Sequence, residues 1–424
     1  MSRLFRSTGQ AASAATQARV VLKAVTYNIL ADKWSGWPRL QAELAGYDAD
    51  IMFLQEVEAP VFQQQLSPWL APSYNGIFKP RRSPPGDFGP QEGVSLHWRR
   101  STFELLDSCA FRFADVAATL LPRAVRDDAA AQPLMRVLMR REEGAAAALL
   151  QHRASGRRVL AASTHLFWDP QFPDVKLVQA AALCRGIADF LETRLGPGAA
   201  AAVPVLIGGD FNSLPGVWAS DPFNTVPPGQ CLVSAVYELL VTGRVGPTHP
   251  DHPSQRSCAR VARAGQQQQQ ALAAEQLAAV GGGLRRGPSP QRGHQRAGSP
   301  GRCPLDRLSF NTSGLQLNSM HVQALGREPP LTTRTATFDG TLDYLFLSAG
   351  HWQVLSTLDM PFPSQQQQGQ GQHGQRPGGG GLTGAHAVPP GSVSQAAFPP
   401  APNAVWASDH VAVGAELELL GGEA

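Results

Sequence analysis

The sequence predicts a layered domain of the mixed α/β class that runs from about residue 21 to residue 419. Three observations support this class. Short apolar runs of strand length alternate with segments of helical periodicity. The chain has 424 residues and is 43% hydrophobic, which is enough for one large core or two smaller ones. Repeated alternation of strands and helices favours stacked layers over a barrel of hairpins.

Seven apolar runs are predicted to be strands, because each is short and ends at polar or turn-forming residues. In chain order they are 21–30, 49–56, 92–98, 157–165, 203–210, 341–348 and 410–419. Two segments are predicted to be helices. Residues 175–196 carry apolar side chains at helical spacing and end at Gly196, and residues 39–47 show a shorter version of the same pattern.

Two low-complexity stretches interrupt this pattern, at about 252–304 and 364–400. Both contain runs of glutamine and glycine together with many prolines, and such segments cannot bury enough apolar surface to offset chain entropy. We therefore predict one domain with two disordered insertions, since the cost of closing a loop grows slowly with its length. Residues 1–20 contain three arginines and no acidic residue. This is typical both of a disordered start and of an organelle transit peptide.

Bulk composition excludes several classes of protein. A formal net charge of +3 and a pI near 8.7 permit a polyanionic substrate but do not argue for one. The five cysteines form no C-x-x-C pair, so they indicate neither a zinc site nor a disulfide framework, and they fit a reducing compartment. No apolar run reaches the roughly 18 residues that a membrane span requires.

Polar side chains stand at the ends of six predicted strands, where layered folds build sites on a rigid scaffold. They are Asn28, Glu56, His165, Asp210, Asn212, Asp343, Asp409 and His410. Each of them alone has a structural explanation, and the Asp-Phe-Asn sequence after strand 203–210 is also a typical turn. Six strand ends with the same feature favour a shared site.

The chemistry of this set is consistent. Carboxylates, amides and imidazoles without thiolates suit Mg²⁺ or Mn²⁺. A metal-polarised phosphate, a carboxylate that activates water and a histidine that stabilises charge together provide metal-assisted phosphoryl hydrolysis. Gly208 and Gly209, which precede Asp210, would let neighbouring strands and a substrate phosphate approach closely.

Six motifs, in order, resemble the endonuclease/exonuclease/phosphatase superfamily. They are TYNIL, FLQEV, STHLFWDP with DVKLVQ, GGDFNSLP, GTLDYLFLS and ASDH. THLFWDP, DVKLVQ and EGVSLHWRRSTFELL are most similar to the carbon catabolite repressor deadenylases, in particular the plant-type branch related to nocturnin. The resemblance implies a deoxyribonuclease-like β-sandwich of two mixed sheets flanked by helices. It covers the chain apart from residues 1–20 and the two insertions.

The resemblance also implies a metal site and a water-activating group. Glu56 would be the main ligand of Mg²⁺ (or Mn²⁺), with Asn28 beside it. Asp409 would be a second or water-mediated ligand. Asp210 would position or deprotonate the attacking water.

The same resemblance implies a set of groups that hold the phosphate. Asn212 would help to bind it, and His165 would donate to a non-bridging oxygen. His410, oriented by Asp343, would contact the scissile phosphate. The number of metal ions stays open.

Single-stranded RNA is bound by cationic grooves with aromatic faces on which bases stack. The candidate cations are Lys79, Arg81 and Arg82 of the KPRR segment, and the candidate stacking residues are Trp168 and Phe338. The KPRR segment is equally typical of a solvated loop. The predicted activity is Mg²⁺-dependent 3′-to-5′ shortening of poly(A) tails.

Three alternatives stay open. They are a nocturnin-like phosphatase acting on a 2′-phosphorylated nicotinamide dinucleotide, a 2′,5′-phosphodiesterase, and an inactive RNA-binding module. The chain departs from the deadenylase pattern at His97 and Trp98, where those enzymes carry an aromatic pair. It lacks the leucine-rich repeats through which the founding deadenylase joins its complex, so that docking is not expected. We expect a cytoplasmic monomer, or a mitochondrial or chloroplast protein if residues 1–20 are a transit peptide.

Overall fold

Two mixed β-sheets are stacked face to face, and helices cover both outer faces. This architecture confirms the predicted layered α/β class. The computed structural model describes residues 4–7, 19–30, 37–81, 91–219, 221, 226–256, 304–362, 386–389 and 391–421.

The first sheet has seven strands. In order across the sheet they are Phe5–Ser7, Trp352–Leu358, Val413–Leu419, Val20–Asn28, Ile51–Glu58, Glu92–Arg99 and Tyr74–Pro80. Val20–Asn28 and Ile51–Glu58 run parallel, and the other neighbours are antiparallel. The carboxyl ends of the two parallel strands therefore meet at one edge of the sheet.

The second sheet has six strands. In order they are Leu317–Ser319, Asp343–Ser348, Val205–Asp210, Arg158–His165, Gly144–His152 and Phe103–Arg112. Here Arg158–His165 and Val205–Asp210 are the parallel pair, and the remaining pairs are antiparallel. Each sheet thus contains one parallel pair whose strands end in polar residues.

Helices and short strand pairs complete the described part of the chain. The helices of six or more residues are Trp37–Tyr47, Phe113–Leu120, Gln132–Leu138, Pro173–Leu195, Ala235–Thr242 and Met320–Leu325. Shorter helical segments are Ala59–Val61, Phe62–Leu66, Ser67–Leu70, Arg123–Arg126, Ala129–Ala131, Ala199–Ala202 and Pro304–Arg307. Three small hairpin-like pairs join Gly216–Trp218 with Cys231–Val233, Arg244–Val245 with Phe310–Asn311, and Thr333–Arg334 with Asp339–Gly340. Among the described helices, none has the length and apolar character needed to cross a lipid bilayer.

Buried apolar clusters lie between the sheets and on both outer faces. Phe53 and Leu96 of the first sheet share a buried cluster with Leu206 and Leu345 of the second. The long helix Pro173–Leu195 packs on the outer face of the second sheet. Helix Trp37–Tyr47 covers the first sheet in the same way. Burial of apolar surface on both faces of each sheet explains why the central strands read as nearly continuous apolar runs.

All seven predicted strands and both predicted helices are confirmed within three residues at each end. Six further strands of the two sheets were not predicted. The most informative is Gly144–His152, whose sequence GAAAALLQH consists largely of the strong helix formers alanine, leucine and glutamine. It is a strand because it lies between two other strands and is buried on both faces, so packing overrides local propensity.

The predicted insertions have narrower limits in the structure. Residues 252–256 are described, and His252 is buried with its ring 5.3 Å from that of Phe310. After the second insertion, Val393 and Phe398 are buried in a cluster with Val411. These parts of 252–304 and 364–400 belong to the packed fold because their buried side chains pack against other residues of the domain. The rest of the predicted insertions, 257–303, 364–385 and residue 390, lies outside the described residues.

Strands from both sides of each insertion pair with one another. Asp343–Ser348 follows the first insertion and pairs with Val205–Asp210, which precedes it. Val413–Leu419 follows the second and pairs with Val20–Asn28. The start of the chain also differs from the predicted disordered segment, because Phe5–Ser7 pairs with Trp352–Leu358 as an edge strand. Residues 1–3 and 8–18 lie outside the described residues.

A buried glutamate gives the fold a pH-dependent stability. Glu328 is 1% exposed, and the hydroxyl of Tyr237 donates to its Oε1 at 2.8 Å. Its Oε2 is buried and accepts no hydrogen bond from the part of the chain that the structure describes. Burial raises the pKa of Glu328 to about 7, although hydrogen bonds from Ser319 and Tyr237 oppose the shift. The folded state therefore keeps a proton that the unfolded chain releases near its ordinary pKa of 4.5.

Stability should therefore fall as the pH rises from about 4.5 to about 7. We expect Glu328→Gln, which is neutral at every pH, to raise the free energy of unfolding relative to wild type at pH 8 but not at pH 4.5. The difference should reach a few kcal/mol, because each unit of pKa shift corresponds to about 1.4 kcal/mol. Urea unfolding of both proteins at the two pH values measures it. An equal difference at both would show that Glu328 is ionised throughout.

Candidate active site

Three neighbouring strands of the second sheet bring three polar residues side by side. His165 and Asp210 are directly paired in the parallel ladder. Asp343, at the start of the antiparallel neighbour, is paired with Asp210 from the other side. Register alone therefore places an imidazole and two carboxylates in one row at the edge of the sheet, all of them buried.

The first sheet supplies Asn28 and Glu56 at its matching edge. Asn28 ends its strand opposite Gln55 in the parallel ladder. Glu56 follows at an irregularity of pairing between Leu54 and Val57, where its φ is +54°. Left-handed backbone is costly for a residue with a side chain, and such strain is concentrated at functional sites. The bulge turns the Glu56 carboxylate toward Asn28 rather than into the regular alternation of the strand.

Asn28 connects the two sheets at the centre of the site. Its Nδ2 donates to Glu56 Oε1 and to Asp210 Oδ2, both at 3.0 Å, and lies 3.5 Å from His410 Nε2. Its Oδ1 accepts the Leu30 N–H at 3.1 Å, which fixes the orientation of the amide. Asn28 is fully buried. The amide thus holds two carboxylates of different sheets at a defined separation.

His410 belongs to a hydrogen-bonded chain that reaches Thr332. His410 Nδ1 lies 2.8 Å from Asp343 Oδ2, and the hydroxyl of Thr332 donates to the same oxygen at 2.6 Å. Burial alone lowers the pKa of His410, but the surrounding carboxylates, Asp343 above all, outweigh it and raise the pKa to about 10. His410 is therefore an imidazolium at neutral pH, with its Nε2 3.8 Å from Asp210 Oδ2.

His165 has the opposite protonation state. Burial lowers the pKa of His165 well below its ordinary value, and the positive charges of Arg81 and His410 act in the same direction. Asn212 Nδ2 lies 2.9 Å from His165 Nε2 and donates to the Leu166 carbonyl at 3.0 Å. A neutral His165 that accepts from Asn212 carries its proton on Nδ1. The predicted contacts of His165 and Asn212 with a phosphate stay predictions, since in the structure the two side chains contact each other.

The carboxylates are arranged as a cation site requires. Glu56, His165 and Asp210 have ligand atoms within 4.8 Å of one another, and so do Asp210, Asp343 and His410. Burial and the neighbouring Asp343 raise the pKa of Asp210 to about 7, and burial raises that of Glu56. Concentrated, desolvated carboxylates of this kind are stabilised by a divalent cation, for which oxygen ligands are preferred. The residues therefore fit Mg²⁺ or Mn²⁺ between Glu56 and Asp210.

Asp409 is the predicted ligand that the structure leaves outside both groups. Its Oδ1 is buried without a hydrogen-bond partner, and burial raises its pKa. Its main-chain carbonyl accepts from Arg334 N–H at 2.9 Å and from the Thr333 hydroxyl at 3.1 Å. Asp409 thus lies beside His410 with an unsatisfied oxygen, which is compatible with the predicted indirect role.

The predicted substrate-binding cations have different placements. Lys79 is 9% exposed, and its ammonium donates to the Glu142 carbonyl at 2.7 Å. This buried placement differs from the predicted exposed cation. The Lys79 side chain extends from the first sheet to the segment before Gly144, and a Cβ added at Gly144 would lie 2.4 Å from the Lys79 Cε. Arg81 pairs with Glu92 at 2.5 Å, and its buried second terminal nitrogen has no partner among the described residues. Arg82 lies outside the described residues.

The two predicted stacking residues are exposed beside the site. Trp168, three residues after His165, is 63% exposed. Phe338, five residues before Asp343, is 42% exposed and lines a pocket of about 260 Å³. The pocket is also lined by Leu214, Pro215, Trp218, Asp221 and Thr341. Its volume is near the lower end for small-ligand pockets, roughly 300 Å³.

The glycines before Asp210 have a packing role. A Cβ on Gly208 would lie 2.5 Å from the ring of Phe53 in the facing sheet, and one on Gly209 would lie 2.4 Å from the Thr164 carbonyl. Close approach of neighbouring strands, one of the two predicted reasons for these glycines, is confirmed. The sheets can therefore come together tightly just below the reaction site.

Thr332, Ser408 and Lys176 were not predicted as site residues. Ser408 donates to the Asn28 carbonyl at 2.7 Å, and Lys176 donates to the Asn212 carbonyl at 2.6 Å. Thr332 and Ser408 offer no local signal in the sequence. A lysine in the first turn of a helix, where the helix dipole disfavours a cation, was a usable signal for Lys176.

Comparison with known proteins gives relatives that include Ccr4-type proteins and 2′,5′-phosphodiesterases. The chain is 27% identical over 295 residues to the CCR4-Not complex 3′-5′-exoribonuclease subunit Ccr4 of Phaeosphaeria nodorum, covering 56% of this chain and 46% of the relative. It is 26% identical over 365 residues to carbon catabolite repressor protein 4 homolog 2 of Arabidopsis thaliana, covering 79% and 52%. Human 2′,5′-phosphodiesterase 12 is 27% identical over 370 residues, covering 80% and 47%. The matches span about half of each relative.

Solved structures share the fold. ANGEL2, described as a 2′,3′-cyclic phosphatase, has a TM-score of 0.59 at 18% identity, with 99% of each chain covered. The human Nocturnin catalytic domain has a TM-score of 0.52 at 18% identity, with 99% of this chain and 98% of that chain covered. A protein-family model also matches the sequence over residues 25–410. This range begins before Asn28 and ends at His410. Because the match covers most of the chain, including all the predicted catalytic and metal-binding residues from Asn28 to His410, the chain belongs to the Endonuclease/Exonuclease/phosphatase family.

Proposed function

We propose that this protein is a Mg²⁺-dependent 3′-to-5′ exoribonuclease that shortens poly(A) tails. The proposed hydrolytic activity rests on one observation. Asn28, Glu56, Asp210 and the Asp343–His410 pair lie close together at one edge of the sandwich. The RNA part is supported by the relatives named as Ccr4 exoribonucleases and carbon catabolite repressor homologues.

The chain's own residues account for the two needs of phosphodiester hydrolysis. Asp210 Oδ2 faces the space between Asn28 and His410, and a carboxylate whose pKa is raised toward neutrality suits proton abstraction from water. His410, held as an imidazolium by Asp343, places positive charge where a phosphate gains negative charge. When bound, a divalent cation beside Glu56 would supply polarisation of a phosphate oxygen. Asn28 keeps these groups aligned before the substrate arrives.

Substrate recognition is proposed to use the exposed aromatic groups. Phe338 and the Leu214–Pro215 wall form an open pocket. Its lining residues Leu214 and Thr341 are two residues after Asn212 and two residues before Asp343, and since consecutive Cα atoms are about 3.8 Å apart, the pocket is proposed to lie beside the bound phosphate. It is small enough for one nucleobase, which would stack on Phe338. Arg81, whose charge reaches both Glu56 and His165, is the proposed backbone contact.

A second candidate is hydrolysis of 2′,5′-linked oligoadenylate. It is favoured by the match to human 2′,5′-phosphodiesterase 12, which covers 80% of this chain. The reaction needs the same carboxylates and differs in the linkage presented to them. Removal of the 2′-phosphate from a phosphorylated nicotinamide dinucleotide is the third candidate reaction, and this dinucleotide is one of the substrates in the test.

The test is a side-by-side turnover assay of the full chain with Mg²⁺. The substrates are 5′-labelled 3′,5′-oligo(A), mixed-sequence RNA, 2′,5′-oligo(A) and the 2′-phosphorylated dinucleotide. We expect stepwise shortening of 3′,5′-oligo(A) from its 3′ end, faster than that of mixed-sequence RNA. Faster turnover of 2′,5′-oligo(A) or of the dinucleotide would replace the proposed substrate. No turnover of any of the four would overturn the proposed activity.

A further inference from the structure

The buried amine of Lys176 contacts the turn that carries Asp210. Lys176 is 5% exposed, and its ammonium donates to the main-chain carbonyl of Asn212 at 2.6 Å. Among the described residues, none forms a salt bridge with Lys176, and aspartates, Asp251 foremost, favour its charge only through longer-range attraction. Burial lowers the pKa of Lys176 to about 8, while the charges of Asp251 and Asp210 act in the opposite direction. The ammonium is thus retained near neutral pH at a site that offers it a single hydrogen bond.

This is an unfavourable place for a lysine. Lys176 is the fourth residue of the helix Pro173–Leu195, whose amino end carries partial positive charge from the aligned peptide dipoles. Lysine is also among the residues that are least often fully buried without an ionic partner. Methionine would fill the same space without either cost. The hydrogen bond to the Asn212 carbonyl is the interaction that lysine provides here and methionine would not.

The turn that receives this hydrogen bond is strained and aligns two site residues. Asn212 has a φ of +47°, in the left-handed region, which asparagine adopts more readily than most residues with a side chain but at a cost that glycine does not have. Its N–H donates to Asp210 Oδ1 at 2.8 Å, and its side-chain Nδ2 lies 2.9 Å from His165 Nε2. The orientation of Asn212 therefore helps to fix both the Asp210 carboxylate, which Asn28 also holds, and the His165 ring.

We propose that Lys176 is a positioning residue, which holds the Asn212 turn in its left-handed conformation and thereby aligns Asp210 and His165 for the reaction. The charged hydrogen bond compensates for the backbone strain, because hydrogen bonds from charged donors are stronger than neutral ones. It also satisfies a main-chain carbonyl in the buried floor of the site. The proposal rests on the proposed function for its kinetic consequence, but the positioning itself is a property of the free protein.

The experiment compares wild type with Lys176→Met, which keeps the volume and removes the donor. We expect kcat to fall by about 10- to 100-fold with KM nearly unchanged, since misplacement of a reacting group by about 1 Å costs that order of rate. Hydrogen–deuterium exchange of the peptide 208–215, measured without substrate, should become faster in the variant. Lys176→Arg, which restores a charged donor, should recover part of both losses.

The matched control is Arg157→Met. Arg157 donates to the carbonyls of Leu419 and Leu420, at the end of a strand whose other end begins three residues after His410. We expect it to lower the melting temperature without changing kcat or exchange in 208–215. A further check is Lys176→Met combined with Asn212→Gly, because glycine adopts positive φ without strain. In that background the loss caused by Lys176→Met should shrink, and additive losses would contradict action through Asn212.

The two proposals fail in different ways. If wild type hydrolyses none of the substrates, the proposed function is wrong, and the exchange of 208–215 still decides whether Lys176 orders the turn. If wild type is active and Lys176→Met matches it in kcat and in exchange, the positioning role is wrong and the proposed function stands. Where Lys176→Met does not fold, Lys176→Gln provides a neutral donor for the same comparison.

Discussion

Replacement of Asp210 by asparagine is expected to lower kcat for phosphodiester hydrolysis by about a thousand-fold, the size of effect that loss of a general base produces. Asparagine has the same shape, so the fold should persist, but it cannot take a proton from water. It also loses the carboxylate oxygen that lies near His410. Initial rates on 5′-labelled oligo(A) at saturating Mg²⁺ measure the effect.

The control for this variant is Asp127→Asn. Asp127 is an exposed aspartate that pairs with Arg123 on the same helical turn, so its loss should leave the rate unchanged. Circular dichroism and melting temperature should be native-like for both variants. An Asp210→Asn protein that retains more than a tenth of the wild-type rate would remove Asp210 from the proposed role of base.

Removal of divalent cations should abolish activity, and addition of Mg²⁺ or Mn²⁺ should restore it. A catalytic metal supplies several kcal/mol to the transition state, and each ~1.4 kcal/mol is a tenfold change in rate. We therefore expect the rate to fall by about a thousand-fold or more in EDTA. Mg²⁺ should also raise the melting temperature of the wild type, because a cation that binds only the folded state stabilises it. Glu56→Gln should lose both effects.

Glu104→Gln serves as the matched control, since Glu104 pairs with Arg153 at an exposed site. It should keep the Mg²⁺-dependent rise in melting temperature and the Mg²⁺ requirement of the wild type. The thermal measurement separates metal binding from turnover. A Glu56→Gln protein that still gains stability from Mg²⁺ would place the cation elsewhere, and full activity in EDTA would exclude a metal role altogether.

Much of the fold could be predicted from the sequence because the relevant signals are local. The run VPVLIGGD is apolar, short and bounded by glycine, so strand 205–210 could be recognised without its neighbours. The helix 173–195 was equally clear from its periodicity. Gly144–His152 was not recognised, because its alanines favour a helix and only the flanking strands make it a strand.

The sequence was sufficient to predict which residues belong to the candidate site. Strand ends carry Asn28, Glu56, His165 and Asp210, and the chemistry of these side chains indicates metal-assisted hydrolysis. Their arrangement was not predictable. The pairing of His165 and Asp343 with Asp210 depends on strand order and register, which link residues that are far apart in the chain.

Residue composition and periodicity by themselves determined seven of the strands, the long helix and the set of polar residues that could carry chemistry, because each depends on neighbours within a few positions. Only the tertiary structure decided which contacts those residues make. It buried Lys79 between the sheets instead of exposing it, turned Glu56 at a bulge, and placed Lys176 against the Asp210–Asn212 turn. Burial and hydrogen bonding across long separations are properties of the assembled sheets, and no short stretch of sequence specifies them.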